Sequence, residues 1–146
     1  MAVILADTNI LLRSSDPTHP VHEIAFASVK KYLADGDEVC ILTQNLIEFW
    51  NVATRPTENN GFGWSPDQTD LEVTRLESLL TLLPDTPAIY PEWRKLVLAH
   101  SVRGKQVHDA RIVAAMKAHN IRSLLTFNAS DFKRFGDILL IDPLAV

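Results

Sequence analysis

The chain has 146 residues, 47% of them hydrophobic and 22% charged, with a formal net charge of -4. These are the values of an ordinary globular protein and argue against extended disorder; one domain over residues 1–146 is expected, burying about 68–70% of the surface its unfolded form exposes. No basic stretch precedes the first apolar run, which Asp7 interrupts too early for a signal peptide or membrane span, so no membrane association and a cytoplasmic location are expected. The negative balance also opposes nucleic-acid binding, unless the acids gather around divalent ions that reverse the local field.

Ala2-Val3-Ile4-Leu5-Ala6 reads as a strand buried on both faces, the kind found inside a parallel sheet. Asp7 ends it, followed by Thr8-Asn9 and a second apolar run, Ile10-Leu11-Leu12. Pro20 opens a helix whose apolar face includes Val21, Ile24, Ala25 and Leu33, and Ala34-Asp35-Gly36-Asp37 closes it. Glu38 to Leu42 is the second strand and contains the single cysteine, Cys40. With no internal partner, that residue reads as a buried, inert thiol. Thr43 is a candidate N-cap for a helix carrying Gln44, Asn45, Glu48, Phe49 and Trp50.

Arg55 to Trp64 concentrates turn formers and two glycines, the signature of an exposed loop. Ser65-Pro66-Asp67-Gln68 is a capping box with proline at the first helical position, and the helix it starts carries Leu71, Leu76 and Leu79. Leu82-Leu83-Pro84 reads as a short strand. Tyr90 to Val102 reads as a helix ended by Gly104, and His108 to His119 as another stopped by Asn120. Ser123 to Thr126 and Ile138 to Ile141 are the last two strands.

Ligands of open α/β sheets bind outside the carboxyl ends of the strands. Four acids fall at such places: Asp7 after the first strand, Glu48 a turn into the helix after the second, Asp109 at a helix start, and Asp131 soon after the fourth strand. Two like charges about 4 Å apart repel by on the order of 4 kcal/mol at an effective dielectric of about 20, so such a cluster calls for a cation. All-oxygen ligands suit Mg2+ or Mn2+, and such ions can polarise a phosphate and activate a water for phosphodiester hydrolysis. Thr8 and Asn9 on one side, and Thr126 and Asn128 on the other, are placed to hold the carboxylates or metal-bound waters.

The segments Leu5 to Leu11, Thr43 to Phe49, Val107 to Ala115 and Leu125 to Phe132 together resemble, in order and spacing, the motifs of PIN-domain ribonucleases, in particular the VapC-type toxins of toxin-antitoxin pairs. The resemblance covers essentially the whole chain. It implies a three-layer α/β/α fold around a mostly parallel sheet, Mg2+- or Mn2+-dependent cleavage of RNA, a homodimer, and a cognate antitoxin that blocks the site. Asp7, Glu48 and Asp109 map onto the family's central acids. Asp131 is favoured as the fourth ligand or water-orienting group with Asn128 in support; if Asp131 instead caps a short helix beginning near Phe132, three acids remain.

Arg13, Arg103, Lys105 and Arg111 flank the acidic motifs and are candidate phosphate contacts, Lys105 foremost because Gly104-Lys105-Gln106 leads into Asp109. Trp64, in the loop, is a candidate base-stacking residue. His19 and His22 lack the third ligand of a catalytic zinc site. A receiver-like magnesium-binding signalling domain also gathers acids at strand ends, but its phospho-accepting Asp after a central strand well into the chain and its lysine after a late strand are not both matched. A non-catalytic PIN-like RNA-binding module would lose one or more acids, and all four are present.

Overall fold

The apolar runs become the strands of one sheet. In the computed structural model, which describes residues 1–146, β1 (Val3–Ala6), β2 (Glu38–Leu42), β3 (Thr81–Leu83), β4 (Ser123–Leu125) and β5 (Leu139–Ile141) pair in the order β3-β2-β1-β4-β5. Every pairing is parallel, with Leu5 opposite Cys40 on one side and Leu124 on the other. A central parallel strand must be apolar on both faces, and that is why no polar residue interrupts Ile4-Leu5-Ala6.

Alternation along the strands splits the interior in two. Leu5, Cys40, Leu42 and Leu124 enter a core covered by α5 (Ile89–Ala99) and α6 (Gln106–Ala118). Ile4, Ala6, Val39, Ile41 and Leu125 enter the opposite core. That second core is covered by α1 (Thr8–Ser14), α2 (His22–Ala34), α3 (Thr43–Thr54) and α4 (Pro66–Leu79), through residues such as Leu11, Val29, Phe49 and Leu76. The result is three layers, with helices on both faces of the sheet. No helix is long and apolar enough to cross a membrane.

Several boundaries differ from the sequence reading, each for a local reason. The run after Asp7 is a helix, α1, whose N-cap is Asp7 itself: its Oδ1 accepts the Thr8 N–H at 2.8 Å. Pro20 stays outside α2, which starts at His22 after a turn in which Asp16 Oδ1 accepts both the backbone N–H and the hydroxyl of Thr18. Thr43 is the first residue of α3 rather than its cap; Asn45 Oδ1 reaches back to the Leu42 N–H at 2.8 Å. The Ser65–Gln68 capping box forms as read, with both reciprocal bonds present.

Gly104 does not end α5. The helix stops at Ala99, and Ser101 takes the left-handed conformation (φ 50°), so that the Val102 N–H returns to the Val97 carbonyl at 2.9 Å. Gly104 (φ 61°) instead turns the chain into α6, which therefore begins at Gln106, two residues before His108. Asn120 (φ 57°) closes α6 in the expected way, with the Ile121 N–H on the Met116 carbonyl.

The 55–64 loop folds back on the end of α3, where Phe62, Gly63 and Trp64 donate their N–H groups to the carbonyls of Val52, Arg55 and Ala53. Trp64 is half-buried against Phe49 and Phe62, with ring centroids 6.3 and 5.0 Å away. It packs on the core, so its proposed role as a base-stacking platform is withdrawn. Cys40 is fully buried, and burial beside Glu38 pushes its thiol up to about 12, as expected of an inert residue.

Candidate active site

The sheet order reverses at β1: the chain goes from β1 to β2 on one side, and β4 lies on the other. At such a switch point the loops leaving the carboxyl ends of neighbouring strands part and leave a crevice. Asp7 leaves β1 and Thr126 leaves β4 side by side. The Asp7 N–H donates to the Leu125 carbonyl, and the Thr126 hydroxyl donates to Asp7 Oδ2 at 2.7 Å. Asn9 Nδ2 reaches both Thr126 Oγ1, at 3.3 Å, and Asp7 Oδ2, while the Asn128 N–H donates to Thr126 Oγ1 at 3.0 Å. Asp7 is thus clamped on both oxygens and only 7% exposed.

Glu48 enters from α3. Its Oε1 accepts the Thr8 hydroxyl at 2.7 Å and its Oε2 accepts Gln44 Nε2 at 3.2 Å. Gln44 lies four residues earlier, on the same face of the helix. Gln44 Nε2 also donates to the His108 carbonyl at 2.9 Å, which ties α3 to the start of α6 beside Asp109. Asn45 completes the support by donating to Thr8 Oγ1 at 3.1 Å. Gln44 and Asn45 were read only as helix residues, although the i, i+4 spacing of Gln44 and Glu48 was a visible signal.

Asp109 sits in the first turn of α6 and Asp131 at the end of a short 3-10 turn, Ala129–Asp131; neither carboxylate is tied down by a protein donor. Asp131 does not cap a following helix: the next 3-10 turn, Lys133–Phe135, starts from Phe132 and has no side-chain cap. Asp7 and Asp109 each lie within electrostatic reach of Glu48 and Asp131. Burial, with the charges of Glu48 and Asp131 adding to it, pushes the Asp7 carboxyl up to about 6 against the opposing Thr126 and Thr8 hydrogen bonds. Asp109 is pushed up to about 6 by burial and then by Asp7, Asp131 and Glu48, with His108 opposing. None of the four forms an ion pair with Lys or Arg.

No three of these carboxylates surround one point closely enough to enclose an ion by themselves. The donor set still fits Mg2+ or Mn2+, because Mg2+ takes one or two carboxylates and keeps several waters. An all-oxygen cluster with no cationic partner is the environment such an ion neutralises.

The proposed phosphate contacts are not equivalent. Arg103 and Lys105 are exposed at the entrance to α6, and Arg13 lies half-buried on α1 with its carbonyl on His22 Nδ1. Arg111 is engaged: one guanidinium nitrogen donates to Gln44 Oε1 at 3.0 Å and the other pairs with Asp85 at 3.2 Å. A cleft of about 450 Å³ opens beside Glu48 between α3 and Arg111.

The model of the PIN domain family matches residues 4–138. The chain belongs to the PIN domain family. This PIN domain is similar to Ribonuclease VapC48 of Mycobacterium tuberculosis, with 25% identity over 142 residues and 94% of each chain covered. Its fold is that of VapBC2 from Rickettsia felis, solved bound to a DNA fragment from their promoter; the TM-score is 0.71 at 16% identity, covering 96% of this chain and 98% of that one. A toxin-antitoxin complex from Klebsiella pneumoniae contains a chain of the same fold, with a TM-score of 0.65 at 18% identity, covering 96% of this chain and 97% of that one.

Proposed function

We propose that this PIN domain is a Mg2+- or Mn2+-dependent endoribonuclease toxin that hydrolyses RNA phosphodiester bonds and is neutralised by a cognate antitoxin. The observation that carries this reading is the convergence of Asp7, Glu48, Asp109 and Asp131, drawn from four separate stretches of chain, with no Lys or Arg paired to any of them. The ribonuclease name of the curated relative supports the activity, and the toxin-antitoxin complex of the same fold supports the partner.

Asp7 and Asp109 would hold the principal ion, while Glu48 and Asp131 orient the attacking water or a second ion. The ion, when bound, supplies Lewis-acid polarisation of the phosphate and lowers the pKa of the water. Thr126 and the Thr8 N–H hold Asp7, and Thr8 Oγ1 and Gln44 hold Glu48, so both carboxylates are oriented before substrate arrives. Water oxygen would bond to phosphorus in line with the departing ribose oxygen, the water giving up a proton to a nearby carboxylate or to solvent and the ribose oxygen taking one up from solvent as the P–O bond breaks.

Incubating the purified protein with end-labelled RNA in EDTA, then restoring Mn2+, tests the reading. Cleavage that stops and returns supports it; metal-independent cleavage, or none in either state, contradicts it. On the same reading the antitoxin would seat in the apolar groove of about 450 Å³ between α1, α2 and α4, where Phe26 and Leu79 leave apolar surface open to solvent. Leu79→Lys, on an exposed wall of that groove, should abolish co-purification with the antitoxin and leave RNA cleavage intact. A homodimer is part of the proposal, and light scattering of the isolated protein measures it directly.

A further inference from the structure

A cleft adjoins the acids at Glu48, and its chemistry does not suit a phosphate. It carries two carboxylates, Glu48 and Asp85, against a single guanidinium, Arg111, which is already paired with Asp85. A phosphate entering it would find no Lys or Arg free to pair with it. A neutral base needs none.

The remaining walls offer what a base needs. Ile47 is 65% exposed, an apolar side chain left open to water on the first turns of α3 next to Glu48. Asn51, one helical turn further along the same face, is exposed and its side chain makes no hydrogen bond within the fold, so its amide donors and acceptor are free to meet a base edge. Arg111 is held in place by Gln44 and Asp85, and a pinned planar guanidinium is a ready stacking surface that has little left to lose in conformational freedom.

Resting on the ribonuclease reading, we propose that this cleft seats one unstacked RNA base adjacent to the scissile phosphate, with Ile47 and Arg111 as its contact surfaces and Asn51 at its edge. Arg111 is then a specificity-determining residue rather than a phosphate contact. A base can enter only if it is free of a helix stack, so the substrate at that position is single-stranded.

The test uses an RNA oligonucleotide cut at one mapped position, remade with abasic nucleotides one at a time on either side of that position. Affinity is measured in the inactive Asp109→Asn background, with and without Ile47→Ser, Arg111→Ala or Arg111→Lys. Ile47 is exposed, so its replacement leaves the fold undisturbed. The expected result is one abasic position, next to the cut, that weakens binding about tenfold, the scale of a stacked base, and that has no further effect once Ile47 or Arg111 is replaced. Equal sensitivity in all variants, or no sensitive position, overturns the assignment. A uniform loss at every position with a shallower salt dependence for Arg111→Ala marks a phosphate contact and overturns it too. If the parent protein cuts no RNA in Mn2+, the ribonuclease reading itself falls; if it cuts and shows no coupling, only the base site falls.

Discussion

Asp7 does two jobs with one carboxylate. It caps α1 through the Thr8 N–H and it lies buried among the acids of the site, where burial first, and the charges of Glu48 and Asp131 after it, push the carboxyl up to about 6. The sign of the resulting pH dependence is set by that direction. A carboxyl whose folded pKa lies above its unfolded value favours the fold when protonated, so its contribution is complete below about pH 4 and is lost as pH rises through about 6. In EDTA the melting temperature should therefore fall between about pH 4 and about pH 6, and Asp109→Asn should flatten that slope; an unchanged slope in the variant contradicts the coupling. Asp7→Asn and Asp109→Asn should each lower RNA cleavage by at least about a hundredfold while circular dichroism stays native. Gln44→Leu removes the donor that holds Glu48 Oε2 together with the acceptor that pins Arg111, and should lower kcat about tenfold in addition to any rise in KM. A rise in KM at constant kcat would assign Gln44 to binding instead.

At the scale of elements, what was legible depended on whether the signal was local. The strands, the Ser65–Gln68 box and the Asn120 stop are written in neighbouring residues; the box and the stop formed as read, and every strand end fell within one residue of its expected place. Helix α1 was missed because Ile10-Leu11-Leu12 is buried in one piece, so no polar position betrays a helical period. The role of Trp64 was misjudged for a related reason: turn formers announced a loop, but not that the loop lies down on Phe49. The Arg111–Asp85 pair was invisible, since Asp85 lies in a connector whose only signal is its fold-level neighbour. The loop also makes a stability prediction. A Cβ on Gly61 would run into the Arg55 carbonyl, so Gly61→Ala should destabilise the fold by about 2–4 kcal/mol in urea unfolding, against about 1 kcal/mol for loss of the cap in Ser65→Ala. Equal midpoints for Gly61→Ala and the parent would show that the loop is not held as described.

At the scale of the molecule, the fold explains why acids far apart in sequence can share a site. A parallel sheet ordered β3-β2-β1-β4-β5 delivers the ends of β1 and β4 to one crevice, and the helices that follow deliver Glu48 and Asp109 over it. All four acids were named from the sequence, but only Asp7, directly after an apolar run, and Asp109, in the first turn of a helix, carry a plain local signal. The supporting hydrogen bonds, such as Thr126 to Asp7 across 119 residues, depend on a strand order that periodicity alone does not specify. The whole arrangement stands or falls on one property, the capture of a divalent ion by this shared centre. Calorimetric titration of the metal-stripped protein with Mn2+ measures it directly. Saturable binding in the parent that is lost in both Asp7→Asn and Asp109→Asn is the predicted result. No binding in the parent, or binding that survives both substitutions, would contradict the account.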